Sequence, residues 1–448
     1  MKISVYSFFF VIIGLRIKLK VLVIGSGGRE HCLVWKIAQS DLVDKVYAVP
    51  GNAGISSIAE CVDLDISISG FERITDFIEA NGIDLVVVGP EAPLVDGIAD
   101  HLENLGILTF GPKKDAAMLE GSKVFTRDLS CRYGIPTPDG FVFERSQYME
   151  AVEYIKKQDK FPLVIKADGL AAGKGVLIVQ NTSEAIKALD DCMVSQVFGD
   201  SGERVIVEDF LTGYETSILC LSDGKKIIPM DLAQDYKRIF DGDEGKNTGG
   251  MGSYSPVPMI SSSIYKKALD NIIYPTAEAL RRENIDYRGI LYAGIMVSGD
   301  EPYLLEYNCR FGDPETQAVL PRLDDDLVPL LMGCAEGNIG VDSLSWNSDK
   351  CICVVAASRG YPDTSSKGDI ITGLDNFKSG DDIIVFHSGT RHQDGDIATD
   401  GGRVLGLSAL APGFREVRKK AYDAMSKIKF DGMQYRKDIA YKAEERLQ

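Results

Sequence analysis

The 448-residue chain has no long run of Lys or Arg, and its longest apolar stretches fall short of a membrane-spanning helix. Its formal net charge is -17, from 49 basic and 66 acidic residues. Nucleic acids and anionic lipid attract clustered positive charge, so neither is expected as a partner. The 9 cysteines contain no Cys-x-x-Cys pair, and none of the 4 histidines stands at zinc spacing from them. Buried apolar thiols in a reducing compartment are the expectation, with Cys351 and Cys353 on one face of a strand. His31, His101, His387 and His392 receive no catalytic role. Repeats and low-complexity tracts are absent too, and 45% hydrophobic with 26% charged residues is an ordinary globular composition.

One apolar run, Ser4 to Leu15, stands out, flanked by Lys2, Arg16, Lys18 and Lys20. It is far shorter than the ~20 residues of a spanning helix, and no small-residue cleavage site follows. Residues 1–19 therefore read as an upstream extension of a cytoplasmic protein. The rest of the chain is long enough for about three domains.

From Lys20 onward, apolar β-branched runs end in Gly or Pro and alternate with helical stretches: KVLVIG, KVYAVPGN and IDLVVVGPE. Such alternation predicts a parallel sheet, whose ligands bind beyond the carboxyl ends of the strands. Past Gly111, a helix and a Pro-marked turn lead into mixed α+β sequence to about residue 325. Hairpin-like pairs are predicted around FPLVIKADGLAAGKGVLIV and around RVIVEDFLTGYETSILCL. From about Leu327 come short strands (CICVVAAS, DIIVFHSG, GRVLGLSAL) and a helix starting near Phe414.

An acidic protein that handles phosphates must concentrate its few cations and backbone N–H groups where the phosphates sit. GSGGRE, with Gly27 and Gly28, follows a strand and opens a helix, a natural anion site. It is a poor dinucleotide fingerprint, because Glu30 replaces the last glycine and the second strand ends in Val49 and Pro50 rather than an acid. Asn52 and Glu91 end the next strands and are candidates for the same ligand, or for helix caps. Lys166 lies on a strand followed by a glycine-rich turn with Gly169, Gly173, Lys174 and Gly175, and a strand returns at once. The helix and Ser or Thr of a Walker A loop are missing; a flap over a triphosphate meets the same electrostatic need.

Glu208 and Glu215, seven residues apart, have the arrangement of an adenosine hinge. In YLLEYNCRFGDPETQ, Glu306 and Asn308 alternate on a strand and share a face that Arg310 continues. A carboxylate and an amide oxygen suit Mg²⁺, with Arg310 toward developing charge. QDYKRIFDGDEGKNTGGMGSYSP reads as a substrate-covering loop with Asp235, Lys237 and Arg238 at its root.

Together these blocks, with FGP, LEGSK, LYAG and GGRVLG, resemble the phosphoribosylamine–glycine ligase (glycinamide ribonucleotide synthetase) family of the ATP-grasp superfamily. The resemblance runs from about Lys20 to the C-terminus. It implies an α/β and α+β multidomain protein: a parallel-sheet N-domain (20–120), an ATP-grasp domain (121–326, flap about 121–205) and a small sheet-rich C-domain (327–448). It also implies that Lys123, Lys166 and the 169–175 turn hold ATP phosphates, Glu208 and Glu215 the adenosine, and Glu306 and Asn308 the metal, Mg²⁺ or Mn²⁺. Gly27, Gly28, Asn52 and Glu91 would bind 5-phosphoribosylamine, while Arg310, Lys166 and Asp235 would be catalytic. Many ATP-grasp relatives carry a metal-binding acid on the preceding strand, where LYAGIMV has none, so the number of metal ions stays open. The implied partners are glycine, 5-phosphoribosylamine and ATP, bound by a cytoplasmic monomer. The alternatives are another ATP-grasp carboxylate–amine ligase, which would lack the N-terminal phosphate pocket, and a nucleotide-binding regulator without turnover.

Overall fold

The computed structural model describes residues 18–170, 175–377 and 382–446. Residues 1–17 of the expected extension, together with Gly173 and Lys174, lie outside the described residues.

The N-terminal unit is a five-stranded parallel sheet in the order 60–61, 43–50, 19–25, 85–88, 109–110. Its inner strands are buried on both faces: Val21 to Ile24 and Leu85 to Val87 are 0% exposed. This explains their uniform β-branched and aliphatic character, since each face must meet a helix or another sheet. Among the helices that supply cover are Gly28–Ile37, Phe71–Asn81 and Ile98–Asn104. As expected, the three glycine-bearing turns fall at the carboxyl ends of neighbouring strands.

Two antiparallel four-stranded sheets follow. The flap sheet has the order 140–144, 204–209, 163–167, 176–179, and the central sheet 227–229, 214–223, 288–298, 301–308. Strands Leu163–Ala167 and Val176–Val179 pair around the glycine-rich turn as predicted. The second predicted hairpin does not form. Arg204–Asp209 pairs within the flap sheet, whereas Tyr214–Asp223 pairs in the central sheet, so residues 210–213 carry the chain from one sheet to the other. Both strands end in buried apolar runs, and each run finds its partners in a different sheet. At the crossing, Gly213 lies against the Val297 carbonyl, where a Cβ would stand only 1.9 Å from the oxygen.

The central sheet and the N-terminal sheet share their cores. Ile218, Cys220 and Leu291 cluster with Leu22, Ile24 and Val86, while Leu219, Leu221 and Ile290 cluster with Val21, Val23 and Val87. Helix Leu327–Glu336 joins the second of these cores, so the C-terminal sheet takes up only at Lys350 and not at 327. That sheet has the order 234–235, 252–255, 350–357, 403–411, 383–387, and two of its strands come from the preceding segment. Its far face is closed by helix Phe414–Met425, and a short helix, Tyr441–Arg446, follows. Among the described residues no helix is long and apolar enough to cross a membrane.

Candidate active site

Strand Glu301–Asn308 is the edge of the central sheet beside the flap. A bulge opposite Gly294/Ile295 resets its alternation, so that Leu304 and Tyr307 enter the core. Glu306 and Asn308 are left on the other side, as the sequence spacing predicts, and both are only partly covered. Cations gather around Glu306. Lys237 Nζ lies 3.6 Å from its carboxylate, and Lys166 Nζ donates to the Leu305 carbonyl at 3.0 Å. Burial pushes the Glu306 carboxyl up, but Lys237, Lys166 and Lys123 outweigh it and hold the group below its ordinary value. Glu306 is therefore ionised at neutral pH. Among the described residues the Asn308 side chain has no hydrogen-bond partner.

Lys123 opens helix Lys123–Tyr133 and donates to the Gly169 carbonyl at 2.7 Å, at the root of the flap turn. Asp168 accepts from the Ser122 hydroxyl, the Val124 N–H and Arg204, which ties that root to the helix N-terminus. Burial, reinforced by Lys166, lowers the Lys123 ammonium below its ordinary value. An incoming polyphosphate would relieve the repulsion between these two lysines, which Glu306 and, at Lys166, Glu208 offset only in part.

Glu208 and Glu215 do not sit side by side. Glu208 is 5% exposed within the flap sheet and pairs with Lys166 and, at 3.7 Å, with Arg127. Glu215 starts the first central-sheet strand and pairs with Lys237. Their spacing thus spans the crossing between the two sheets, with one carboxylate on each side of it. Gly175 accepts from the Ala167 N–H at 2.8 Å and closes the far end of the flap turn.

Asp235 is half-buried beside Lys237, and its buried Oδ1 has no hydrogen-bond partner among the described residues. Burial, with Glu315 and Glu215 nearby, pushes the Asp235 carboxyl well up, against the pull of Lys237. The Gly250 backbone passes so close that a Cβ there would lie 2.6 Å from Asp235 Oδ1.

Arg310 connects this cluster to the N-terminal sheet. Its guanidinium meets Glu91 at 3.1 Å and Glu120 at 3.0 Å. Burial pushes Glu91 up, but Arg310 and Arg29 together hold it down to about 2. Beyond Arg310, Asp313 accepts from Arg403 at 2.9 Å and from Gln317 at 2.7 Å. These groups surround the start of helix Gly28–Ile37, where a Cβ on Gly28 would lie 2.7 Å from Gln317 Nε2 and 2.6 Å from Ser388 Oγ. No side chain larger than hydrogen fits there, and the Gln317 Oε1 beside it is buried without a partner. The Asn52 side chain is engaged by backbone groups, in keeping with the capping alternative. Its Oδ1 accepts from the Gly54 and Ile55 N–H groups, and its Nδ2 donates to the Ser26 and His387 carbonyls. Every polar atom of the side chain goes to backbone, so Asn52 staples the turns and the C-terminal sheet together.

Glu120, Arg29, Asp313, Gln317 and Arg403 were not singled out from the sequence. Each sits inside a block that carried the resemblance, LEGSK, GSGGRE, FGDPETQ or GGRVLG, and that membership was the available signal.

Residues 19–120 match the N domain of phosphoribosylglycinamide synthetase, 121–316 its ATP-grasp (A) domain and 351–442 its C domain. The chain belongs to the phosphoribosylglycinamide synthetase family. Curated members of the family include a phosphoribosylamine–glycine ligase from Caldanaerobacter subterraneus, 48% identical over 94% of this chain and 99% of that protein. Another, from Synechocystis, is 46% identical over 95% of this chain and 100% of its own length. The crystal structure of phosphoribosylamine–glycine ligase from Thermotoga maritima superposes with a TM-score of 0.83 at 34% identity, over 94% of this chain and 100% of that one. A biotin carboxylase from Campylobacter jejuni shares the fold alone, with a TM-score of 0.73 at 16% identity over 96% of each chain. In this chain the segment 306–317 runs from the lysine cluster at Glu306 to the N-domain glycine turn at Gln317.

Proposed function

We infer that this enzyme joins glycine to 5-phosphoribosylamine at the expense of ATP, forming glycinamide ribonucleotide, ADP and phosphate in purine biosynthesis. The observation that carries the reading is the continuous segment from Glu306 to Gln317. It faces the lysines at one end, presents Arg310 in the middle, and abuts the anion-binding helix start at the other.

Glu306 and Asn308 fit a divalent cation. One is an ionised carboxylate and the other an amide without a partner among the described residues, both hard oxygen donors on one face. Mg²⁺ or Mn²⁺ bound there supplies charge neutralisation for ATP phosphate oxygens. Lys123 and Lys166 hold those oxygens as well, Lys123 from the root of the flap turn at Gly169. Glu215, at the crossing between sheets, is the carboxylate placed to accept from ribose hydroxyls, and Glu208 acts by fixing Lys166.

A carboxylate is a poor acyl donor. The glycine carboxylate attacks the γ-phosphorus, the bond to ADP breaks, and a glycyl phosphate forms. Arg310 offsets the charge that develops on the transferring group. The phosphoribosylamine nitrogen then attacks the acyl carbon, phosphate leaves, and the amide remains. Asp235 receives the glycine ammonium: its partnerless Oδ1 is buried next to Lys237, and a neighbouring cation is what would restore its ionised form. Gly27 and Gly28 frame the helix start that receives the sugar phosphate: first-turn N–H groups lack backbone acceptors there, while the Gly27 N–H itself donates to Glu30 Oε2 at 2.6 Å. Glu91, kept ionised by Arg310 and Arg29, faces the sugar hydroxyls or the amine. The enzyme provides position and electrostatics; no protein nucleophile takes part.

Hydroxylamine tests the intermediate. With ATP, Mg²⁺ and glycine but no phosphoribosylamine, the enzyme is expected to form glycine hydroxamate, and ADP release without hydroxamate would rule out the acyl phosphate. Gly27→Val tests the division of labour. A Cβ at Gly27 would lie 2.8 Å from Glu30 Oε2, so the substitution crowds the helix start and should raise the KM for phosphoribosylamine while sparing that for ATP. A selective rise in the KM for ATP would place the nucleotide, not the sugar phosphate, at this turn.

A further inference from the structure

We propose that Arg436 is a positioning residue, which clamps the back of the segment 235–237, whose front presents Asp235 and Lys237 to the reaction. The inference rests on the role given above to those two residues.

Along Asp235–Tyr236–Lys237 the side chains alternate. Asp235 and Lys237 face Glu315, Glu215 and Glu306, whereas Tyr236 is 6% exposed in the core of the C-terminal sheet. Tyr236 is held from behind. Its hydroxyl accepts from the Ala440 N–H at 2.9 Å, and the Arg436 guanidinium covers its ring with its carbon 4.7 Å from the centroid.

Arg436 is one of the largest fully buried side chains among the described residues, and its fork is engaged by both segments it joins. Nε donates to Asp438 at 2.7 Å on its own segment. Nη1 donates to the Arg238 carbonyl at 3.1 Å and pairs with Asp243 at 2.9 Å, both on the substrate-covering loop. The two backbones reinforce the clasp, because Gly242 N–H donates to Asp438 and Lys437 N–H donates to Asp241. A buried guanidinium with such partners specifies geometry more than it adds stability, since its desolvation cost offsets much of the attraction. The loop itself is a hairpin, 238–240 against 244–247, with exposed side chains at its tip; within its two strands only Ile239 is buried, against Met251 and Ala357. Backbone bonds from the Tyr236, Thr248 and Met251 N–H groups hold its root from one side, and the clasp holds it from the other, behind the Tyr236 ring.

The test compares wild type with Arg436→Met, Arg436→Lys and the milder loop-side variant Asp243→Asn, each checked for a cooperative melt. Hydrogen exchange is read at the Tyr236, Thr248 and Met251 amides, which hold the loop root together. The proposal expects faster exchange at these amides in Arg436→Met, with exchange in the N-terminal sheet unchanged. It also expects a loss of roughly 10- to 100-fold in kcat/KM for glycine, against about twofold or less in the KM for phosphoribosylamine. Asp243→Asn should move the same readouts in the same direction by less, and Arg436→Lys should recover part of the loss. Unchanged exchange overturns the proposal. So does faster exchange with unaltered glycine constants, or an equal change in the constants of all three substrates. Should wild type itself show no dependence on glycine, the reading of the activity fails, and exchange alone then decides whether the clasp exists.

Discussion

Glu306→Ala is expected to lower kcat by roughly 1,000-fold while ATP still binds weakly. The carboxylate is the ionised oxygen donor at the centre of the lysine cluster, and Asn308 alone offers no charge to a divalent cation. Its loss leaves Lys237, Lys166 and Lys123 with one fewer counter-charge, so nucleotide phosphates are still attracted although phosphoryl transfer is not supported. Steady-state rates at rising Mg²⁺, with nucleotide affinity measured separately, check both halves. A near-normal rate at saturating Mg²⁺ would remove Glu306 from the metal site.

Arg310→Met is expected to damage both activity and stability. Activity falls because the guanidinium that joins the lysine cluster to the helix start is gone. Stability falls because Glu91, 30% exposed, is left with Arg29 alone, while Glu120, 9% exposed, loses the cation paired with it, and stranding a carboxylate that is nearly buried costs about 3 kcal/mol. The loss has a pH signature. In the wild type Glu91 has a folded value of about 2 against an ordinary 4.5, so its contribution is present above about 4.5 and disappears as pH falls toward 2. The difference in melting temperature between wild type and Arg310→Met should therefore be widest near neutral pH and narrow on acidification through that window. A difference that is constant with pH would mean that the Glu91 pairing contributes nothing.

That Glu306 and Asn308 share a strand face, and that Lys166 precedes the glycine-rich turn, was legible because strand alternation and the turn place them without knowledge of distant residues. Glu120 and Arg403 could not, since their roles arise where Glu120 meets Cys309 across 189 residues and Arg403 meets Asp313 across 90. The parallel sheet was legible because fully buried strands must be uniformly apolar and end in tight turns. The false hairpin at 204–223 has an equally physical origin. A four-residue link between two apolar runs has the same composition whether it turns back or carries the chain to another sheet, and only the partners of each strand decide. The two-residue strand Gln234–Asp235 is too short to carry any period, yet it anchors the C-terminal sheet and brings Asp235 to the site. Asn52 follows a strand beside a glycine turn, a position that suits a ligand contact and backbone capping alike, and sequence alone leaves the two open.

The central claim is that one active site couples ATP to both glycine and 5-phosphoribosylamine. The most direct measurement is ADP release with ATP, Mg²⁺, freshly generated phosphoribosylamine and a panel of amino acids, with bicarbonate as a separate addition. Release that requires the sugar amine and glycine together is the expected result. Release in the absence of both, or with bicarbonate in place of glycine, would keep the nucleotide site and contradict the assignment of the substrates.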